Sequence, residues 1–382
     1  MKATRSIIIG LVAWLMAAAA FAESLPYEFT TVDIPIPGSP GFRAIPEDIN
    51  DEGEILTNVR INNLAEALIA DPVKRKGMKF TTATFSCTGV AFADTSAFSI
   101  NDKGAIVGYC ADAPSAPSKL FGFVRHPSGR HILLDFPGAD GTIGYGLSSN
   151  GRVVGQYFNP SDGRSGLYRF HGFSWKDGRF KTIDFPRADT YTTLWSVNTR
   201  GQIMGEYVTF NPNTNETLEH SWFIYDNGKF ILDFPLSLEH VGGPAIALAD
   251  MNDDGQIVGQ RTNGDPDWNG LFFYDDGKFF DIELPVEFAF ADVRGMNNKG
   301  QFVGMYLVEV GTDSIFGTPI YEQHGYIATP VPRKKSHHFV DKGDDKGKRL
   351  VRKAFAYRDL LAHLKNFDYG LQRPKWKWNE RE

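Results

Sequence analysis

The stretch HGFSWKDGRFKTIDFPRADTYTTLWSVNTRGQIMGEY, residues 171–207, contains each motif that recurs along this chain. His-Gly-Phe comes first, then Asp-Phe-Pro, then Asn-x-x-Gly followed by Ile-x-Gly-x-Tyr. The glycine of the Asn-x-x-Gly motif recurs at positions 53, 104, 151, 201, 255 and 300. Self-similarity at a nearly fixed period indicates a repeat architecture, and these intervals are too long for ankyrin or tetratricopeptide units.

The other two motifs repeat with the same period. The Gly-Phe motif appears as FGFVRH at 121, HGFSWKDG at 171, HSWFIYDNG at 220, NGLFFYDDG at 269 and HGYIAT at 324. The Asp-x-Pro motif appears as VDIP at 32, LDFP at 134, IDFP at 183, LDFP at 232 and IELP at 282. Segments between the motifs are rich in β-branched and aromatic residues, which favours strands. Asp-Gly, Asn-Gly and Ser-Gly pairs favour tight hairpins between the third and fourth strands.

Each repeat therefore predicts a four-stranded antiparallel meander, and six meanders predict an all-β, six-bladed β-propeller over residues 23–332. The chain opens with FTTVDIP (29–35), a fourth strand without its third. The repeats stop at HGYIAT (324–329), a third strand without its fourth. Pairing these two strands would close the ring and protect two sheet edges. A β-solenoid or two stacked sandwiches is the alternative, although neither explains the complementary halves.

The consensus GxNxxGxIVGxY…HGFxWxxGxFxxIDFP resembles the HAF-repeat family of bacterial extracellular proteins, over about residues 27–330. The resemblance implies an exported repeat protein and implies no activity. The segment LIADPVKRKGMKFTTATFSC, residues 68–87, departs from the pattern because it lacks both His-Gly-Phe and Asp-x-Pro.

Residues 1–22 have the pattern of a cleaved secretory signal peptide. Lys2 and Arg5 are followed by an apolar run over 7–20 and by Ala20-Phe21-Ala22. The apolar run is shorter than the ~20 residues that a membrane span needs. We therefore expect a mature protein that is secreted or periplasmic. Export makes a disulfide between the two cysteines, Cys87 and Cys110, compatible with the compartment.

Charge is distributed unevenly. Residues 333–382 contain 15 Lys and Arg against 7 Asp and Glu, whereas the whole chain has 40 against 46. The acidic body argues against nucleic acid as a ligand. Residues 333–348 predict a polar linker, and 349–382 predict a basic amphipathic helix and tail. The tail could contact an anionic membrane surface, or it could lie on the acidic propeller.

The meander places the Asn-x-x-Gly and hairpin turns on one face and the longer connections on the other. Loops on a rigid scaffold commonly carry recognition. We therefore predict that residues that break the repeat on the second face bind a protein or glycan: Asp140, Arg187, Asp189, Tyr191, His240 and Trp268. The same face receives Cys87 and Cys110, and we predict that they pair.

DPDWNG, residues 265–270, resembles the start of a calcium loop, with Asp265, Asp267 and Asn269 as alternating oxygen ligands. Phe273 stands at the ninth position, and a strand separates Asp276 from the loop, so an ordinary polar turn is favoured over Ca²⁺. No other cofactor is expected.

Motifs for catalysis are absent from the sequence: there is no His-Glu-x-x-His, Gly-x-Ser-x-Gly or Walker pattern. His171, His220 and His324 share one repeat position, which favours packing or hydrogen bonding over metal binding. The repeated Asn is expected to shape its own turn. The sequence favours a monomeric binding or scaffold protein. The alternative is a carbohydrate-active hydrolase or lyase with acids in the propeller mouth.

Overall fold

The computed structural model describes residues 24–35, 43–61, 64–73, 77–82, 95–111, 119–159, 169–186, 190–211, 217–231, 245–262, 269–313 and 317–331. The predicted signal peptide and the predicted linker and helical tail lie outside these residues. Within the described residues all regular structure is β, and no helix long and apolar enough to cross a membrane is found there. The prediction of an all-β propeller arrangement is confirmed.

The strands follow the repeat closely. In chain order they are β1 (Ser24–Leu25), β2 (Tyr27–Thr31), β3 (Ile34–Pro35), β4 (Arg43–Ile49), β5 (Ile55–Ile61), β6 (Leu64–Val73), β7 (Gly77–Thr82), β8 (Thr95–Ile100), β9 (Ile106–Ala111), β10 (Leu120–Arg125), β11 (His131–Leu134), β12 (Gly141–Leu147), β13 (Val153–Asn159), β14 (Arg169–Lys176), β15 (Arg179–Thr182), β16 (Thr190–Val197), β17 (Ile203–Phe210), β18 (Thr217–Asp226), β19 (Lys229–Ile231), β20 (Ala245–Met251), β21 (Ile257–Thr262), β22 (Asn269–Asp275), β23 (Lys278–Ile282), β24 (Phe290–Ala291), β25 (Gly295–Met296), β26 (Phe302–Thr312) and β27 (Pro319–Pro330).

These strands form five sheets in the described part of the chain. The orders are β3-β4-β5-β6-β7, then β8 to β15 together, then β16-β17-β18-β19, then β20 to β23 with β1 at the edge, then β24 to β27 with β2 at the edge. The eight-stranded sheet contains two antiparallel meanders, which are joined through a single parallel pairing of Leu120 with Gly141. Each meander corresponds to one sequence repeat.

The N-terminal segment holds three sheets together. Leu25 pairs in parallel with Ile282 at the edge of β23, a contact that the sequence did not predict. Strand β2 then pairs antiparallel with β27, with Phe29 opposite Ala328. Strand β3 finally pairs with β4, with Ile34 opposite Ala44. The predicted pairing between the opening strand and the last repeat strand is therefore present, and it covers the edge of β27 that would otherwise be open.

The apolar core is divided among the interfaces between successive meanders. One cluster joins Leu56 on β5 to Phe123 on β10, and another joins Val258 on β21 to Tyr326 on β27. A further cluster joins Val303 on β26 to Ile55 on β5, so that the last repeat packs on the first. Burial of apolar surface stabilises by roughly 25 cal/mol per Å². The apolar clusters therefore lie at the boundaries between neighbouring repeats, and they hold the sheets together around a common centre.

The three sequence motifs meet at these boundaries. Phe185 of Asp-Phe-Pro stacks on Tyr207 of the next repeat, with ring centroids 3.8 Å apart and planes 1° apart. Phe136 stacks on Tyr157 in the same way at 3.6 Å, and His171 stacks on the other side of Tyr157 at 5.0 Å. Aromatic pairs of this kind add about 0.5–1.5 kcal/mol beyond their burial. The order of the motifs in the sequence therefore follows from one repeated packing unit.

Candidate functional site

The Asn-x-x-Gly turns surround the centre of the molecule. Each glycine of the motif has a positive φ, for example 82° at Gly53 and 88° at Gly201, which suits a residue without a side chain. The Asn50 Oδ1 accepts a hydrogen bond from the Glu54 N–H at 2.9 Å, and Asn198 Oδ1 accepts one from Gln202 N–H at 3.0 Å. The predicted role of the repeated Asn in its own turn is therefore confirmed.

The same asparagines also join neighbouring turns, which the sequence analysis missed. Asn50 Nδ2 donates to the Asn101 carbonyl at 3.1 Å, and Asn101 Nδ2 donates to the Ser148 carbonyl at 3.2 Å. The third turn has Ser148 in place of the asparagine, and Asn150 forms the bond to the next turn. Its Nδ2 donates to the Thr199 carbonyl at 2.8 Å.

The remaining contacts join the later turns to one another and the last turn to the first. Asn198 Nδ2 donates to the Asn252 carbonyl at 3.2 Å, and Asp253 N–H donates to Asn298 Oδ1 at 2.8 Å. Asn297 Nδ2 donates to the Asn50 carbonyl at 3.0 Å across 247 residues of sequence. The contacts therefore pass through the turns of all the repeats and close into a cycle.

A pocket of about 60 Å³ lies inside this cycle of turns. Two carboxylates at the same repeat position, Asp48 and Asp250, line it together with the side chains of Ser99 and Ser196. The corresponding position holds glycine at 146 and 295. A Cβ on Gly295 would lie 2.6 Å from the Asp48 Cα, so this glycine makes room for the acid. Neither Asp48 nor Asp250 was among the predicted site residues.

Both carboxylates connect neighbouring repeats. Asp48 accepts from Ile49 N–H at 2.7 Å and from Ile100 N–H of the next repeat at 2.8 Å. Asp250 accepts from Ser196 Oγ at 2.6 Å, from Met251 N–H at 2.8 Å and from Met296 N–H at 2.9 Å. Each carboxylate therefore accepts hydrogen bonds from both of the repeats that it joins.

Burial is the largest influence on the pKa values of Asp48 and Asp250. It raises the pKa of Asp250 to about 6, against the opposing hydrogen bonds from Ser196, Met296 and Met251. Burial also raises the pKa of Asp48, and the nearby charge of Asp250 raises it further. Among the described residues that line the pocket there is no Lys, Arg or His, and Asp102 and Asp253 add two more acids. The pocket is therefore acidic.

A second set of residues lies one position earlier in each repeat. Five of the six lie at a β-bulge of the innermost strand, and Arg294 lies between β24 and β25. All six are only partly buried, although the residues on either side of them are mostly buried. Partial exposure in the middle of an inner strand indicates that these side chains face the central channel. The six positions are Glu47, Phe98, Tyr145, Trp195, Ala249 and Arg294.

Three of these residues form a continuous aromatic wall. The Phe98 and Tyr145 ring centroids are 5.0 Å apart with planes tilted by 48°. The Tyr145 and Trp195 centroids are 4.4 Å apart with planes tilted by 39°. The rings are thus inclined to one another and cover three successive repeats. The Trp195 Nε1 is buried and has no hydrogen-bond partner in the described part of the chain.

Two of the other three positions, Glu47 and Arg294, are charged, and the third is Ala249. Arg294 Nη1 donates to both oxygens of Glu47 at 2.9 Å, and Arg294 Nε donates to Asp292 Oδ2 at 3.1 Å. Burial raises the pKa of Glu47, and Arg294 opposes this effect. Burial alone would lower the pKa of Arg294, but the Asp292 and Glu47 carboxylates raise it overall. This cluster joins the last repeat to the first, and two acids accompany one base.

The repeated histidines form hydrogen bonds, as their shared position predicted. His171 Nδ1 lies 2.7 Å from Asp184 Oδ2, and His324 Nδ1 lies 3.1 Å from Asp33 Oδ1. His220 Nε2 lies 2.7 Å from Glu206 Oε2. In the part of the chain that the structure describes, no group of three or more His, Cys, Asp or Glu side chains is arranged to hold a metal.

Only two of the predicted binding residues can be placed. Asp140 is exposed before β12, and its N–H donates to the Phe158 carbonyl at 3.0 Å. Tyr191 is half-buried near the start of β16, where its ring packs on Phe170 and Phe210. Both lie at the strand ends opposite the Asn-x-x-Gly turns, and the structure does not bring them together with the central channel. The other four, Arg187, Asp189, His240 and Trp268, lie outside the described residues.

Only part of the predicted calcium loop and of the predicted disulfide lies among the described residues. Asp265 and Asp267 lie outside the described residues, and Asn269 begins β22, where its backbone pairs with Thr262. Cys110 is buried on β9, and Cys87 lies outside the described residues. Calcium binding and the pairing of the two cysteines therefore stay predictions.

No family model matches this chain, and no curated protein matches it. Solved structures resemble it at low identity. The β-propeller domain of the Trilobed protease from Pyrococcus furiosus is 12% identical with a TM-score of 0.41, covering 74% of this chain and 95% of that one. A lectin from Aleuria aurantia in complex with Fucalpha1-6GlcNAc is 12% identical with a TM-score of 0.41, covering 76% and 96%.

Polysaccharide lyase Uly1 is 8% identical with a TM-score of 0.41, and the match covers 82% of this chain and 97% of that one. Identities and TM-scores this low carry no conclusion about the activity of this chain.

Proposed function

We propose that this protein is a secreted, six-bladed β-propeller that binds or scaffolds a partner through its central channel and has no chemistry of its own. The count of six rests on the six Asn-x-x-Gly turns in one cycle, with the eight-stranded sheet taken as two blades. Secretion rests on the signal-peptide pattern of residues 1–22, and the resemblance to HAF-repeat proteins is consistent with it.

The observation that carries the binding function is the aromatic wall of Phe98, Tyr145 and Trp195. Aromatic rings that stay partly exposed inside a folded protein are typical of ligand sites, where a few polar groups fix orientation. Here the rings adjoin the Glu47–Arg294 ion pair on the same ring of positions. The wall supplies contact area, and the ion pair supplies orientation.

The acid pair supports a structural role better than a catalytic one. Asp48 and Asp250 both accept hydrogen bonds from backbone N–H groups of two repeats. A general acid or base must be free to exchange a proton with its substrate. These carboxylates are instead committed to holding neighbouring repeats together.

Carbohydrate hydrolysis or elimination is the second candidate, and one observation favours it. Asp48 and Asp250 line the same pocket, and burial raises the pKa of Asp250 to about 6. One carboxyl group could then be protonated while its neighbour is ionised, which is the division of roles that glycosidases use.

A glycan and peptide array probed with the purified mature chain tests the proposal. Binding by the wild type that is lost in Trp195→Ala supports the channel as the binding site. Mass spectrometry of every bound glycan after incubation separates the two candidates. Unchanged ligand supports the binding module, whereas cleavage that Asp250→Ala abolishes supports the enzyme. Array binding that is equal in both forms contradicts the channel site.

The basic tail is a separate proposal. Residues 333–382 carry the excess of Lys and Arg that would attract an anionic surface. Comparison of the mature chain with a form that ends at residue 332, on vesicles with and without anionic lipid, tests it. Equal binding of the two forms to anionic vesicles would eliminate the role of the tail.

A further inference from the structure

We infer that the central channel binds an alkylammonium cation, held by the aromatic wall and the carboxylates around it. This inference rests on the proposed binding function and names the chemical class of its ligand. Three observations carry it: the packed row of three partly exposed rings, the excess of acids along the channel, and the small, accessible residues that follow Trp195 on the ring.

The aromatic wall has the form that an organic cation requires. A ring face carries negative partial charge, so cations within about 6 Å of a ring centroid are attracted to it, most strongly by Trp. Phe98, Tyr145 and Trp195 pack on one another with ring centroids 5.0 and 4.4 Å apart. Trp195 is the last ring of the wall, and among the described residues only its Tyr145 side has a ring partner. A positive nitrogen surrounded by methyl or methylene carbons would approach the other side of the indole.

The charges of the channel complement a cation. Its inner strands place the carboxylates of Glu47, Asp48, Asp250 and Asp292 against the single guanidinium of Arg294. Two of these carboxylates belong to the Arg294 cluster, and the other two face the pocket directly below the wall. Asp102 and Asp253 continue the acidic lining toward the turns. A narrow cleft lined by one sign of charge concentrates counter-ions.

Glu47 connects the charged and aromatic halves of the ring. Its carboxylate is hydrogen-bonded by the side chain of Asn58. The Asn58 Nδ2 in turn donates to the Ala97 carbonyl at 2.8 Å, and the Ala97 N–H donates to Asn58 Oδ1 at 3.0 Å. Asn58 therefore bridges the carboxylate of Glu47 and the backbone of the strand that carries Phe98.

A small side chain separates Trp195 from Arg294 on this ring of positions. The repeat between them contributes Ala249 where the others contribute a large side chain, and Ala247 on the same strand is exposed. Solvent therefore reaches the inner strand at this point. A cation here would have the indole on one side and the Arg294–Asp292 pair on the other.

Titration by calorimetry with choline and with 3,3-dimethylbutan-1-ol tests the charge requirement directly. The two molecules have nearly the same shape, and only choline is cationic. We expect choline to bind the mature chain at least tenfold more tightly. Equal affinity for the neutral molecule, or no binding of choline up to its solubility, would overturn the inference.

Variants locate the site. We expect Trp195→Ala to weaken choline binding at least tenfold and Trp195→Phe to weaken it by a smaller factor, because Phe retains a ring face. Trp175→Ala is the matched control, since Trp175 packs in the cluster around Phe136 and Phe180, away from the inner strands. If Trp195→Ala does not fold, Tyr145→Leu takes its place. An equal loss in Trp175→Ala, or none in the wall variants, would place the cation elsewhere.

An alkylammonium group could reach the channel on three kinds of molecule. The calorimetry therefore includes free choline, a lysine-containing peptide and phosphatidylcholine vesicles. The source that binds most tightly identifies the natural carrier, and each result with a wall-dependent loss supports the inference. Neutral glycans that bind in a Trp195-dependent manner, with no cation binding, would overturn the inference and leave the proposed function standing. Failure of the proposed function would instead show as no Trp195-dependent ligand of any class.

Discussion

Replacing Asn297 by Ala and by Ser measures how strongly the last repeat holds the first. Asn297 is buried, and its Nδ2 donates to the Asn50 carbonyl and to Gln301 Oε1, both at 3.0 Å. Its Oδ1 accepts from Lys299 N–H and Gln301 N–H, also at 3.0 Å. Alanine removes all four interactions. Serine retains part of them, because Ser148 at the same repeat position still accepts from Arg152 N–H at 3.0 Å.

The expected losses in the free energy of unfolding follow from the number of hydrogen bonds that each substitution removes. At about 1 kcal/mol for each buried hydrogen bond, Asn297→Ala should lower the free energy of unfolding by roughly 3–4 kcal/mol. Asn297→Ser keeps an acceptor for the turn and loses the two bonds of Nδ2, so it should cost roughly 2 kcal/mol. Asn252→Ser is the matched control, because Asn252 Nδ2 donates to Gln256 Oε1 and forms no bond to the next repeat within the described residues. Its cost should be roughly 1 kcal/mol.

Urea unfolding followed by circular dichroism measures all three variants against the wild type. The difference between Asn297→Ser and Asn252→Ser isolates the bond that closes the cycle, and should be about 1 kcal/mol. If the two serine variants are equally stable, the bond from Asn297 to Asn50 contributes nothing. If Asn297→Ala costs less than about 1 kcal/mol, the counting of buried hydrogen bonds at this turn is wrong.

Other predictions concern the acids, a glycine, an aromatic stack and the cysteines. Because burial raises the pKa of Asp250 to about 6, its contribution to stability should be complete below about pH 4 and should be lost as the pH rises through 6. Unfolding curves at pH 4 to 7 should show this fall of roughly 2 kcal/mol in the wild type relative to Asp250→Ala, and parallel pH profiles would contradict it. Gly295→Ala should prevent folding or lower the midpoint of thermal unfolding sharply, since the new Cβ would lie 2.6 Å from the Asp48 Cα, whereas Gly311→Ala meets nothing within 4 Å and should be nearly neutral. Phe185→Ala should cost roughly 3–5 kcal/mol through the loss of its stack on Tyr207 and the cavity left behind, and a cost below 1 kcal/mol would show that the stack is not part of the core. Peptide mapping without reduction should find Cys87 joined to Cys110, a bond worth about 3 kcal/mol, and two free thiols would refute the pairing.

The repeat was the part of the fold that could be predicted, because its chemistry is local. Asn198, Gly201 and the Asp177-Gly178 pair encode turns through backbone preferences that act over a few residues, and the structure has positive φ values at Asp177, Gly178 and Gly201. Ser128-Gly129 differs, since only its glycine has a positive φ. The closure by β2 and β27 could be predicted because two incomplete repeats complement each other.

The candidate site could not be predicted in the same way, because it depends on which residues meet across repeats. One position varies just before the repeated turn of each unit, and it holds Asp48, Ser99, Gly146, Ser196, Asp250 and Gly295. That variation was the available signal, but longer loops commonly carry recognition, and the predicted site was therefore placed on the opposite face. The aromatic wall was missed for a related reason: Trp195 reads as an ordinary strand residue until a β-bulge turns it toward the channel.

The edge pairing of β1 with β23 also had no signal in the sequence. Ser24 and Leu25 form a two-residue parallel contact, and Ser24 Oγ donates to Glu283 Oε1 at 2.8 Å. Such a short contact carries no periodic pattern. Ser24 and Leu25 directly precede β2, so the pairing of β2 with β27 limits where they can lie.

A cross-link between Glu28→Cys and Thr329→Cys tests whether the opening strand and the last repeat strand close the ring. These residues are paired across β2 and β27, where Cα atoms lie about 4.5–5.5 Å apart and can form a disulfide. The double variant should oxidise to a single cross-linked species in native buffer, and the cross-link should not form in urea. The pair Glu28→Cys with Lys229→Cys should form no cross-link. Free thiols at positions 28 and 329 in the folded, oxidised protein would contradict this closure.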